Sequence, residues 1–189
     1  MKLLKVAQMM AILAAGISCS QQPVKTSGAS VAFEGGYETD PRDRGRPVVL
    51  IAAALGVKSQ VFRDAFSGVT PAQNGKPTED HARANKQVLL AALGPHGITN
   101  ERLDEVSNFY RYQPQDGGIW RHSPAKATAI VEDGKVTGFN IADAGYGYST
   151  APTVSVSGFP NLKVKVTLGF STELMKNGCL TTIEIVAAK

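Results

Sequence analysis

Hydrophobic and polar positions along this chain change period near Pro124, which divides it into two kinds of structure. Before that point apolar residues recur at helical spacing. The stretch "RPVVLIAAALG" is apolar on every side, which predicts a buried helix. Pro47 suits its first turn and Gly56 its C-terminal cap. In "KSQVFRDAFSG", Val61, Phe62, Ala65 and Phe66 fall on one side, and Ser59 is placed to cap the N-terminus. After the turn chemistry of "VTPAQNGKP", Thr78 is placed to cap "EDHARANKQVLLAALG". Glu79 and Asp80 suit its first turn, and Gly94 with Pro95 ends it. Thr99 opens "NERLDEVSNFYRY", where Leu103, Val106 and Tyr110 fall at i, i+3 and i+7. None of the four is long enough to be stable alone, so they are expected to form one cluster.

Beyond Pro124 the period becomes two. "KATAIVEDGKVTGFNIAD" alternates on both sides of Asp133-Gly134, a strong hairpin signal. "PTVSVSG" alternates Val154 and Val156 with Ser and Thr. "LKVKVTLGF" sets Val164, Val166, Leu168 and Phe170 on one face and Lys163, Lys165 and Thr167 on the other, and "CLTTIEIVA" completes the set. An internal echo runs through these strands. Apolar residues follow Gly134 at offsets two, five and seven (Val136, Phe139, Ile141) and follow Gly178 at the same offsets (Leu180, Ile183, Ile185). Two related hairpins would produce it. The predicted fold is α+β: a small N-terminal helical cluster over residues 47–123, packed on a C-terminal antiparallel β-sheet over residues 124–189.

The first residues carry an address rather than a fold. Lys2 and Lys5 precede an uncharged, mostly apolar run from Val6 to Ile17, shorter than the about 20 apolar residues of a stable span. Residues 1–18 therefore read as a signal peptide. "AGISC" resembles the lipobox of bacterial lipoproteins, in which the Cys becomes the lipidated N-terminus. Ile17 and Ser18 suit it, while Gly16 stands where Leu is usual, so the likeness is to the relaxed form. The resemblance implies acylation of Cys19, a membrane partner through that lipid and, because Ser20 rather than Asp follows, the outer membrane. Plain secretion, to the periplasm or outside, with cleavage after a small residue such as Gly16 or Ser20, is the alternative. Residues 19–46 are polar and rich in Gly, Ser and Pro, and read as a flexible tether. An ordered arm laid on the surface is the other reading, which "VAF" and Tyr37 would support.

Composition narrows the function. Hydrophobic residues make up 43% of the 189 and charged residues 19%, which indicates a globular rather than a disordered chain. The formal charge of +4 includes Lys2 and Lys5, and the other basic residues are interleaved with acids in "RDRGR" and "NERLDEV". That lacks the one-sided footprint of a nucleic-acid binder. With Cys19 acylated, Cys179 has no disulfide partner and reads as a small packed residue rather than a nucleophile. His81, His96 and His122 have no metal spacing between them, so no metal or cofactor is predicted. No G-x-S-x-G elbow is present, and "DAGYGYS" is neither a P-loop nor a dinucleotide fingerprint.

The most suggestive local group is "GGIWRH". Tyr110, Tyr112, Trp120, Arg121 and His122, together with Tyr146, could line an aromatic and cationic surface for a glycan or an envelope protein. Alternatively Trp120 plugs the joint between helices and sheet, the commoner use of a lone Trp. The stretch "DGKVTGFNIADAGYGYSTAPTVSVSG" resembles a β-rich module of secreted bacterial and phage-tail proteins, with Gly145, Gly147, Tyr148, Pro152, Val154 and Val156 supplying its G-x-G-Y and P-x-V-x-V pattern. That resemblance implies an architecture and no activity. "GITNERLDEVSNFYRY" is similar to bacterial secreted proteins of unknown function. The expected function is a cell-envelope lipoprotein with a non-enzymatic structural or binding role. The alternative is a hydrolase-like enzyme acting on envelope material, with a site assembled around His122.

Overall fold

The computed structural model describes residues 26–72, 77–111 and 118–186. Cys19, the signal segment and Tyr112 lie outside the described residues.

Four helices form where the apolar spacing predicts them: α1 (Val48–Ala54), α2 (Ser59–Ser67), α3 (Glu79–Leu93) and α4 (Asn100–Phe109). Helix α1 is buried along Val48, Leu50, Ile51, Ala52 and Ala54. It stops through a paired C-cap, in which Gly56 N donates to Ala53 O and Val57 N to Ala52 O, both at 2.9 Å. The hydroxyls of Thr78 and Thr99 accept from the backbone N–H groups of His81 and Arg102, capping α3 and α4. Ser59 does not cap α2; it is already the first helical residue, and Lys58 precedes it without a side-chain cap. Phe62, Ala65, Leu93, Leu103 and Val106 close this core around α1.

Among the described residues six strands follow the period-two segments and one segment that was not expected to be a strand. They are β1 (Thr26–Glu34), β2 (Lys126–Glu132), β3 (Lys135–Asp143), β4 (Thr153–Val156), β5 (Val164–Gly169) and β6 (Cys179–Ile185). The first four make an antiparallel sheet in the order β3-β2-β1-β4, and β5 pairs with β6. The architecture is α+β, but residues 26–46 are not a tether. Strand β1 is interior: Thr26–Ser30 pair with β2, and Val31–Glu34 pair with β4. The composition misled because the inward face of β1 is only half-buried, through Ala29, Val31 and Phe33, and the residues between them and before them are mostly small or polar. Beyond it Asp40 caps a short turn over Pro41–Asp43 that leads into α1.

The internal echo has a structural cause. In the first hairpin Val131 pairs with Val136 and Ile130 with Gly138, leaving Thr137 as an extra residue. In the second, Leu168 pairs with Leu180 and Thr167 with Thr182, leaving Thr181 extra. Each bulge lies three residues beyond its glycine and shifts the later apolar side chains from even to odd offsets, which keeps them on one face. In both, the bulged threonine hydroxyl donates across the strand pair, Thr181 to Thr167 O at 3.0 Å and Thr137 to Ile130 O at 3.5 Å. The two sheets meet where Leu180 N donates to Ala144 O at 2.9 Å. A second small core, Ala125, Tyr148 and Leu180 with Phe33, Val166, Leu168 and Ile183, fills the space between them.

Candidate functional site

The loop between β3 and β4, which contains "GYGY", joins helices to sheet. Tyr146 exchanges two backbone hydrogen bonds with Ser123, each 3.0 Å. Gly147 N then donates to Asn177 O at 2.8 Å and Tyr148 N to Gly178 O at 3.0 Å. This threading needs bare backbone. A Cβ on Gly147 would stand 2.8 Å from His122 Cβ; one on Gly178 would stand 2.7 Å from Leu50 Cδ2 and collide with the Tyr148 carbonyl. Tyr148 is fully buried, and its hydroxyl accepts from Ala125 N at 2.9 Å.

Tyr37 completes the joint from the segment after β1. Its ring stacks on Tyr148 at 5.2 Å, meets Trp120 edge-on at 6.3 Å and lies 4.5 Å from the His122 ring. Burial, with Tyr148 beside it, raises the Tyr37 phenol well above its ordinary pKa. Asn177, 0% exposed, is the polar pin of the assembly. Its amide donates to Leu50 O at 2.8 Å and to the Tyr110 hydroxyl at 2.9 Å, and its Oδ1 accepts from Ser171 N at 3.1 Å. Burial pushes the Tyr110 pKa up to about 12. Arg102 reinforces the joint from α4, donating to the carbonyls of Ala54 and Thr172.

The residues expected to line a binding surface therefore separate. Tyr110 and Trp120 are 3% and 4% exposed, so neither can contribute to such a surface. The reason is that each has its polar atom satisfied inside, with Trp120 Nε1 donating to Gly147 O at 2.8 Å. Trp120 plugs the joint instead. Arg121 and His122 are exposed and Tyr146 is half-buried. Arg121 lies over the Phe109 ring at 5.2 Å, and Tyr146 is 6.1 Å from that ring on the same aromatic group. His122 Nδ1 is 2.7 Å from Trp120 O; a carbonyl only accepts, so Nδ1 carries the proton. No carboxylate, hydroxyl or thiol hydrogen-bonds to His122 among the described residues. Cys179 is half-buried beside Gly169, His81 pairs with Thr70 O, and His96 sits in an exposed turn. Among the described residues no group of three or more His, Cys, Asp or Glu is assembled to hold a metal.

A cleft of about 670 Å³ that sequence reasoning missed opens between residues 42–46 and α2. Arg42, Arg44, Arg46 and Arg63 line it, over an apolar wall that includes Val48, Phe66, Val69 and Pro71. Buried Asp43 accepts a bidentate pair from Arg63, Nε and Nη2 each at 2.8 Å. Asp40 is gripped by Arg42 through Nη2 at 2.6 Å, and this hydrogen bonding holds its carboxyl far below the usual range. The Arg46 guanidinium lies 4.1 Å from the Phe66 ring centroid. Desolvation first, and then the charge of Arg44, lower its pKa. The available signal was the alternation of arginines at 42, 44 and 46, which reads as charge-balanced until the pairing is known. Set beside models of protein families, curated proteins and solved structures, the chain matches none of them.

Proposed function

We propose that this chain is an exported cell-envelope lipoprotein, anchored through Cys19 in the outer membrane, whose folded body has a structural or binding role. One observation carries the reading: the lipobox-like "AGISC" ends at Cys19, and strand β1 begins at Thr26. Only residues 20–25 lie between. At no more than about 3.6 Å per residue, an acylated Cys19 would hold the Thr26 end of β1 within roughly 25 Å of its lipid. Glu132 pairs with Thr26 there, so the Asp133-Gly134 turn would stand close to the bilayer. The body is then a surface-held module rather than a domain on a long leash. More than one acyl chain would make the anchor stable, since a single chain binds reversibly.

Cys19→Ala tests this directly. The variant is expected to lose labelling by a palmitate analogue and to move from the membrane fraction to the soluble one. Full membrane retention without label would overturn the proposal.

A further inference from the structure

We propose that the arginine-lined cleft between residues 42–46 and α2 is a binding site for a phosphate group carried on an apolar or planar body. Four guanidiniums face two carboxylates here, and the pairing is uneven. Asp43 is taken by Arg63 and Asp40 mainly by Arg42. Neither Arg44 nor Arg46 has an ion-pair partner among the described residues. Arg63 spends Nε and Nη2 on Asp43, which fixes its plane and leaves Nη1 uncommitted. The site thus offers two unpaired charges and one oriented donor over a single cavity.

Arg46 is the telling residue. Its guanidinium is half-buried, with the Phe66 ring face against it, and is set near Arg44; the lost hydration and the like charge both disfavour its charge. An anion entering the cleft relieves both, because it neutralises the repulsion and replaces the lost hydration. Several separate N–H forks suit a tetrahedral phosphate, whose oxygens accept from more than one side, better than a planar carboxylate that one fork saturates. The C-terminal turn of α2 opposes an anion through its dipole, but that partial charge is smaller than the two unpaired guanidiniums. Phe66 and Val69 leave an apolar wall for the rest of the ligand. A soluble phosphate ester and a phospholipid headgroup share this chemistry. The site does not depend on acylation of Cys19.

Calorimetry of the full chain with pyrophosphate at low salt tests the site. Wild type is expected to bind, Arg44→Ala and Arg46→Ala each to bind about tenfold more weakly, and Arg83→Ala, an exposed α3 control of equal charge change, to bind unchanged. In the unmutated protein, pyrophosphate is expected to slow phenylglyoxal modification of Arg44 and Arg46 but not of Arg83, a readout that needs no variant to fold. A vesicle arm uses the Cys19→Ala chain, so that no acyl anchor contributes. Sedimentation with phosphatidic acid in phosphatidylcholine, but not with phosphatidylcholine alone, identifies the headgroup as the source. Binding of pyrophosphate without vesicle binding identifies a soluble ester. Absence of protection at Arg44 and Arg46, or an equal loss in Arg83→Ala, overturns the proposal.

Discussion

Strands β2 and β3 are joined by Asp133 and Gly134 alone, whereas β5 and β6 are joined by residues 170–178, and yet the two hairpins share a bulge and its threonine. In the first, both turn residues have positive φ, 47° and 77°, and a Cβ on Gly134 would meet nothing. Its turn serves only to reverse the chain. In the second, the connection dips into the protein and delivers Asn177 and Gly178 to the helix α1 carbonyl and to the Tyr148 backbone. The same strand design thus tolerates two kinds of connection because the bulge, not the turn, sets which face the later side chains occupy. The long connection is where the sheet region and the helical region become one body.

Alanine at the two glycines separates these roles most sharply. Gly178→Ala is expected to cost more than about 4 kcal/mol or to prevent folding, since its Cβ has backbone on one side and Leu50 on the other. Gly134→Ala should cost only about 1 kcal/mol, the strain of a left-handed alanine in open space. Equal losses in urea unfolding would erase the distinction between joint and turn. Next in size, Asn177→Ala leaves the Leu50 carbonyl and the Tyr110 hydroxyl without their buried partner. A loss of about 3 kcal/mol is expected. At about 2–4 °C per kcal/mol for a chain of this length, the melting temperature should fall by roughly 6–12 °C. A fall of under a degree would mean that water replaces the amide.

Alkaline titration probes the same pin. The Tyr110 phenol titrates near 10 when unfolded and at about 12 in place, so its contribution is complete below pH 10 and is lost as pH climbs towards 12. This group should contribute a drop on the order of 2 kcal/mol over that window, and because Tyr37 is raised as well, Tyr110→Phe should reduce the total drop without abolishing it. A pH-independent urea midpoint from 9 to 11.5 would contradict the burial of that hydroxyl. The smallest effects belong to the bulges. Thr181→Val should cost about 1 kcal/mol and Thr137→Val a few tenths, in line with their 3.0 and 3.5 Å hydrogen bonds. The reverse order, measured by urea unfolding, would show that the shared threonine acts through packing alone.

The helical half was legible because its signals are local. Thr78, Thr99 and Gly56 act within one turn of their own position. Strand β1 was not, because its inward face runs only through Ala29, Val31 and Phe33 amid small and polar residues such as Ser27 and Ser30, and its partners lie far along the chain. The echo was visible as spacing, but its meaning needed the register. Buried Asn177 has no signature at all, since a polar side chain is placed inside only by partners that sequence does not bring together. The arginine cleft failed for a related reason. Alternating charges in "RDRGR" look neutralised, and only geometry shows that Asp43 is taken by Arg63 of another helix. The surface role expected for Tyr110 and Trp120 rested on residue type, which does not distinguish a lining from a plug.

The divided pairing of β1 has a consequence for how the chain is made. Among the described residues it is the first strand to be synthesised, and its partners β2 and β4 come about a hundred residues later and beyond. At about 5–20 residues per second, β1 waits on the order of ten seconds for its first neighbour and longer for its second. Until then its N–H and C=O groups have only water to bond. Within the four-stranded sheet the earliest strand is therefore among the last to be completed, and a chain ending before β4 has no finished four-stranded sheet to fold around.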